Sequence, residues 1–419
     1  MIWSKGSGNA KSWGLAVSHI DANQRAEGPR NTALAGAPVQ YFINPIGIQS
    51  IILSAVELGA STVLTTNSLG AFSVNAVLSP QANSFSNIAF PLVQGTGFIT
   101  GIYNSLMPAI QSSIFFREFA QMAPPRAGVY KYRITLEDGK NWLLYAIPKG
   151  GQDPHLNLVS TTQIQGLRGW SGVIQVAKNP ANSSGETIYD GSAGAYPSAA
   201  GVSGSVSGAD GIYRIKWTKA GILSLPLLMY ALPHHTQSFD STTSRGKTLV
   251  QLQTTTKGIA TAIIGDSWTL LEQDLPTDMG FAPWTPAMRS KTVIPQVAHA
   301  LIQQVAESEI NQNYAAQTNL DSMYFSGKAL AKFATLIYTT HDLLKLPNLA
   351  MQGLNELKGA FARFVTNQQI NPLVYDSVWN GIVSSGSYKT GDPGQDFGNS
   401  YYNDHHFHYG MASFVRLSL

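Results

Sequence analysis

Short runs of branched and aromatic residues separated by turn-forming residues fill the chain from Gly14 to about Ser238, and this pattern predicts β structure. Val39 to Ile43, Ser50 to Leu58, Ser61 to Thr66 and Phe72 to Leu78 are such runs. Tyr130 to Leu136 alternates apolar and polar positions, Asp138-Gly139 supplies a turn, and Trp142 to Ile147 resumes, which predicts a hairpin. Ile212 to Thr218 repeats the alternation through Tyr213, Ile215 and Trp217. Many strands without intervening helices predict a large antiparallel sandwich. Ala193 to Gly211, dominated by Gly, Ser and Ala, is expected to be a loop or flexible insert.

The periodicity changes near Phe239. Thr248 to Thr255 and Ile259 to Ile264 predict strands, and Pro295 opens a predicted helix with Val297, Leu301 and Val305 at four-residue steps. Together these predict a small α/β connector. After Asn319 the pattern predicts helix throughout: Ala329, Phe333, Leu336, Ile337 and Leu344 make one apolar stripe, and Leu354, Leu357, Phe361, Phe364 and Val365 the next. Pro347-Asn348 breaks the two, so a helical hairpin is expected. The expected organisation is a β-sandwich over 1–238, a connector over 239–318 and a helical part over 319–419.

Composition narrows the class. Of 419 residues, 44% are hydrophobic and only 12% charged, so the surface must be rich in neutral polar groups. A net charge of +3 argues against nucleic acid or an anionic membrane as partner, and a neutral polysaccharide fits better. There is no cysteine, which excludes disulfides. The first residues do not read as a signal peptide, and the longest apolar run, Gly221 to Leu232, is too short to span a bilayer. The sequon at Asn182-Ser183-Ser184 is faint support for secretion. Gly246-Lys247-Thr248 matches the end of a P-loop, but Ser241 stands where its first glycine belongs. After Gly95-Thr96-Gly97, Thr100 holds the place of the third glycine of a dinucleotide fingerprint. No Gly-x-Ser-x-Gly elbow occurs.

One segment departs from this charge-poor background. Asp396 to Gly410 packs two carboxylates, three histidines and three tyrosines into fifteen positions. A glycosidase needs two carboxyl groups across a sugar, with aromatic faces and hydrogen-bonding groups to grip its hydroxyls. Asp404 with Tyr402, His408 and Trp379 supplies one such half-site. If a helix starts near Asn403, Asp404 and His408 project from one face. The same residues admit two other readings. Asp404 or Asn403 could be an N-cap, and Asp404, His405, His406 and His408 are all possible metal ligands, although no His-Glu-x-x-His supports a metal site. Trp13, Trp142 and Trp170 could line a sugar groove, but core packing is the expectation for each.

The run Tyr-Tyr-Asn-Asp-His-His-Phe-His-Tyr-Gly ending at Gly410 resembles the signature of glycoside hydrolase family 81, the endo-β-1,3-glucanases. Trp3-Ser4-Lys5-Gly6, Phe325-Ser326-Gly327-Lys328 and Tyr375-Asp376-Ser377-Val378-Trp379-Asn380-Gly381 extend the resemblance over nearly the whole chain. It implies a β-sandwich, an α/β connector and an (α/α)6 barrel carrying the cleft. It implies inverting, endo-acting hydrolysis of β-1,3-glucan with Asp404 as general acid. Asp396, Tyr402, Asn403, His408 and Trp379 are then expected around the sugar, with Trp379 stacking on a ring or packing in the core. No cofactor or metal is implied, and an extracellular or cell-wall monomer is expected.

The resemblance also implies a Glu-Ser-x-Ser-Glu stretch well beyond Gly410 that holds the general base. Here Met-Ala-Ser-Phe-Val-Arg-Leu-Ser-Leu follows Gly410, and Glu307-Ser308-Glu309 lies upstream and does not match. The sequence is therefore expected to be cut at both ends, to lack the base, and to begin a barrel without closing it. Inactivity of the chain as written is the corresponding expectation. A non-catalytic glucan-binding protein and a metal-dependent hydrolase using His405, His406 and His408 are the alternatives.

Overall fold

The computed structural model describes residues 2–3, 12–19, 25–27, 41–43, 49–180, 183–254, 257–275 and 296–418. Ser4, Lys5 and Gly6, Asn182 of the sequon, Val39 and Pro295 lie outside them. Contacts divide the chain into two compact units, Met1–Leu275 and Pro276–Leu419. The strands expected of a connector fall in the first and its helix in the second.

The first unit is built on two antiparallel sheets packed face to face. One has eight strands, in the spatial order Phe116–Met122, Tyr130–Leu136, Asn141–Pro148, Trp170–Lys178, Ile99–Leu106, Asn87–Val93, Ser73–Ser79 and Val63–Gly70. The other has six, including Gly14–Val17, Ile51–Ala55 and Pro108–Gln111. Side chains from both inner faces make one core, with Leu15, Leu53 and Ile110 meeting Phe90, Ile134, Leu144 and Ile174. The period of two explains it: Tyr132, Ile134 and Leu136 point into this core while Lys131 and Arg133 point out of it. Trp142 and Trp170 are buried in the same core and Trp13 packs against it, as their size favours.

The outer face of the large sheet is covered in part by helix Ser183–Ser192. Burying the Lys131 ammonium there requires partners, and Glu186 and Asp190 supply them, each at 2.9 Å. Arg133 adds a bond to Glu186 at 2.8 Å. Burial alone would raise the Glu186 carboxyl, but the bonds from Lys131 and Arg133 prevail and hold it below its ordinary value.

Two three-stranded sheets and a two-stranded pair, Arg25–Glu27 with Tyr41–Ile43, are the other described sheets of the unit. Ala193 to Gly211, expected as a loop, is corrected here: Ala195–Ser207 is a strand of thirteen residues paired along its length with Asp210–Gly221. Small residues permit a close approach that composition alone does not reveal. A Cβ at Gly204 would stand 2.9 Å from the Ile212 carbonyl oxygen. The predicted strands near 248 and 259 form as Lys247–Gln253 and Ile259–Ile264.

The second unit is mostly helical. Met323–Tyr338 and Pro347–Val365 follow one another, with Pro347 opening the second helix, and they share a core of Leu330, Phe333, Ala334, Ile337, Ala350 and Leu357. Tyr314 stacks on Phe333 with ring centroids 3.6 Å apart. Two expectations need correction. Helix Gln296–Ile310 forms, but Val297, Leu301 and Val305 are exposed and its buried residues are Ala306 and Ile310. Four-residue spacing marks a face without saying whether anything covers it. The unit is also not wholly helical, because Leu373–Asp376 and Gly381–Ser384 pair as a hairpin. Among the described residues no helix is long and apolar enough to cross a membrane.

Candidate active site

The candidate site is assembled by the irregular segment that leads into the last helix, His405–Ser418. Asp396, Phe397, Tyr402 and Asp404 all carry positive φ, between 50° and 67°, with Gly398 at 78°. Four non-glycine residues in the left-handed region within nine positions cost of order 1–3 kcal/mol each. Named contacts must hold this conformation in place.

Asp396 is the first of them. Its buried carboxylate accepts the Ser322 hydroxyl at 2.5 Å and the Met323 amide at 2.9 Å, at the start of the 323–338 helix. An anion at a helix N-terminus is favoured by the unpaired amides and the dipole. His408 is also fully buried, with Nδ1 3.6 Å from an Asp396 oxygen. Both residues were expected against the sugar. The structure instead places them beneath the segment, tying it to the 323–338 helix. At Gly327 the two helices are in contact, the His408 carbonyl oxygen and Met411 lying 3.4 Å from where a Cβ would stand.

The hairpin is the second. Asp376 accepts the Val378 amide at 2.9 Å within the loop and the Tyr402 hydroxyl at 2.9 Å across it. The Tyr402 ring occupies the space left by Gly381, where a Cβ would stand 2.4 Å from its hydroxyl oxygen. Burial first, then the bond to Asp376, pushes the Tyr402 phenol up to about 12, so it remains a donor across the physiological range. Asn399 is the third: its side-chain oxygen accepts from Tyr409 at 2.7 Å and from the Ser384 amide at 3.1 Å. Ser400 adds a bond to the Ser384 carbonyl at 2.6 Å.

Asp404 ends up outside this network. The helix starts at His405, and the Asp404 carbonyl accepts the His408 amide at 3.0 Å, so Asp404 holds the N-cap position. Its φ is +50°, and the contrast in burial with His408 overturns the expectation that the two project together. Asp404 is exposed and His408 is fully buried. Among the described residues from 376 to 404, every other carboxylate is engaged: Asp376 and Asp396 as above, and Asp392 by the Gly394 amide. Of these, the Asp404 carboxylate alone has no hydrogen bond or ion pair among the described residues. Asn403 is held by its own amide, which donates to the Phe397 carbonyl at 2.6 Å.

The aromatic residues expected near a sugar are on the surface. Trp379 is 40% exposed and Tyr375 and Tyr401 more so, which removes the core reading of Trp379. The histidines diverge, because His405 is half-buried, His406 exposed and His408 inside. Among the described residues no group of three or more His, Asp or Glu is placed to hold a metal ion. Burial, then the neighbouring His406 and His408, lower the His405 pKa, so this ring is neutral near pH 7. Sequence reasoning quoted Asp376 and did not nominate it. The signal was there: an Asp two residues before a turn amide, with Asn-Gly at the far end of the loop, is an Asx-turn hairpin. Asn399 and Ser400 had no such local signal.

Comparison with known proteins identifies the family. The chain matches the glycosyl hydrolase family 81 N-terminal domain over residues 1–286 and the family 81 C-terminal domain over 293–415. It is 54% identical to a glucan endo-1,3-beta-D-glucosidase of Arthroderma benhamiae, covering 98% of this chain and 45% of that protein. It is 36% identical to the primary septum glucan endo-1,3-beta-D-glucosidase of Schizosaccharomyces pombe, covering 96% and 38%. With glucan endo-1,3-beta-D-glucosidase 2 of Saccharomyces cerevisiae the identity is also 36%, covering 97% and 51%. The chain thus spans about half the length of the curated relatives it matches or less. A family 81 glycoside hydrolase structure from Clostridium thermocellum superposes with a TM-score of 0.56 at 15% identity, over 100% of this chain and 56% of the other, which is a likeness of fold. With matched domains over nearly its full length and a relative more than half identical, the chain belongs to glycoside hydrolase family 81.

Proposed function

We propose that this chain supplies the acid half of a site that cleaves β-1,3-glucan internally with inversion, Asp404 being the general acid. One observation carries the assignment: Asp404 is the single carboxylate of the 376–404 segment left exposed and unengaged, while its neighbours are spent on holding the segment. A proton donor must be within reach of the leaving oxygen, and a carboxylate already committed to backbone amides cannot serve. Trp379 offers an exposed face for a glucosyl ring, and Tyr402 and Asn403 flank the acid as candidate sugar contacts. Asp396 and His408 act from beneath by fixing the loop.

The names of the family relatives support β-1,3-glucan as substrate. An inverting reaction also needs a carboxylate roughly 6.5 to 9.5 Å from the acid to activate water, and that role is assigned to no residue of this sequence. By the same reading the 323–338 and 347–365 helices begin an (α/α)6 barrel. The three-part division at 238 and 318, a monomeric state and an extracellular or cell-wall location belong to the same proposal.

The test is Asp404→Asn in the full-length protein. Laminarin hydrolysis should fall by about two to four orders of magnitude while glucan binding is kept. Near-normal hydrolysis would sink the assignment, as would release of the β-anomer first by NMR of fresh products.

A further inference from the structure

We infer a second, non-catalytic carbohydrate site in the first unit, in a cavity of about 660 Å³. Its lining runs from Ser18 to Trp268, so it shares no residue with the Asp404 site, and the inference goes beyond the proposed reaction. The volume lies inside the about 300 to 1,000 Å³ typical of small-molecule sites.

The accessible rings of the lining are Phe72, Tyr230, His234 and His235, and two buried tryptophans back them. Trp217 and Trp268 come from paired strands, Asp210–Gly221 and Ser267–Glu272, with rings 4.8 Å apart at 81°. His235 leans on Trp268 at 5.6 Å and on His234 at 4.0 Å. His235 Nδ1 accepts the Leu232 amide at 3.2 Å, and burial followed by the neighbouring His234 lowers its pKa, so the ring is neutral. At the mouth stand Phe72, which is 38% exposed, Gln94 and Lys257. The exposed side chains of Gln94 and Lys257 have no hydrogen bond among the described residues. Among the described residues no carboxylate lines the cavity.

These features specify the ligand. The accessible rings of Phe72, Tyr230 and His235 favour the apolar face of a pyranose, and the unengaged Gln94 amide and Lys257 ammonium favour a ligand rich in oxygen acceptors. A purely apolar ligand would leave the donors unanswered. An anion would find one exposed ammonium, Lys257, and, of the three imidazoles of His19, His234 and His235, at least the last held neutral, which is a weak anion site. A short neutral oligosaccharide satisfies both sets of groups.

Calorimetric titration of the 419-residue chain with laminaritriose, and separately with cellotriose, tests this. We expect at least one of them to bind, with affinity falling about tenfold or more in Phe72→Ser and in Gln94→Ala, both surface changes that spare the core. Ala200→Trp, which fills the cavity, should abolish binding, and a thermal melt checks that it folds. Trp379→Ala and Asp404→Asn should leave this affinity within about twofold. The inference is overturned if neither trisaccharide binds, if Phe72→Ser and Gln94→Ala both bind like the parent, or if Trp379→Ala alone removes binding. Loss of hydrolysis in Asp404→Asn with trisaccharide binding intact separates this site from the catalytic proposal.

Discussion

Asp396 and Asp404 lie eight residues apart in one motif, and the structure separates their tasks sharply enough to measure. Asp396→Asn keeps size and backbone preference, since Asn tolerates the left-handed φ of 50° about as well as Asp. It removes a buried negative charge that accepts from the Ser322 hydroxyl and the Met323 amide. Hydrogen bonds to charged groups are worth roughly 1.5–3 kcal/mol each, and the helix N-terminus adds roughly 0.3–1 kcal/mol. The amide oxygen can keep one of the two bonds, so the expected loss is roughly 2–4 kcal/mol. Asp396→Ala loses both and leaves an amide unsatisfied, for roughly 3–5 kcal/mol by the cost of breaking a buried ionic partnership. At about 1–3 kcal/mol per molar in urea, the midpoint for the second unit should drop by about 1 M or more in both variants, further in Ala. Hydrogen exchange at Met323 and Tyr324 should speed up first, because those two amides donate to the Asp396 carboxylate. Asp404→Asn, at an exposed side chain with no partner among the described residues, should leave both readouts unchanged. Parent-like midpoints and undiminished amide protection in both Asp396 variants would refute the reasoning.

Three further outcomes follow from the same contacts. Glu186 has its carboxyl held below its ordinary value of 4.5, so its contribution is present above that pH and is lost as pH falls through the lowered folded value; Glu186→Gln should flatten the acid limb of the stability profile followed by circular dichroism. Gly381→Ala places a Cβ 2.4 Å from the Tyr402 hydroxyl oxygen and must displace that ring, so laminarin hydrolysis by the full-length protein should fall several-fold or more, with little change in melting temperature. Gly204→Val should lower the melting temperature, because a Cβ there meets the Ile212 carbonyl oxygen at 2.9 Å; a neutral result would restore the loop reading of this stretch.

The alternation of Tyr130 to Leu136 was enough to place that strand, and the Asp-Gly turn after it was enough to place the hairpin, because a period of two and a turn with positive φ are local properties of the chain. The 323–338 and 347–365 helices were legible for the same reason, from a 3.6-residue stripe and a proline at the break. The motif around Asp404 identified the family, since a dense run of His, Tyr and Asp has no packing explanation. Which of its carboxylates is free was not legible. Asp396 and Asp404 look alike in sequence, and they differ only because Ser322 and Met323, more than seventy residues away, arrive beside one of them. The strand at Ala195–Ser207 was hidden likewise: its small residues carry little periodic signal, and its pairing is set by the neighbouring strand it lies against. Burial of His408, exposure of Val297 and the aromatic cavity behind Phe72 all depend on surfaces brought together by distant segments, and a linear pattern holds no record of what will cover it.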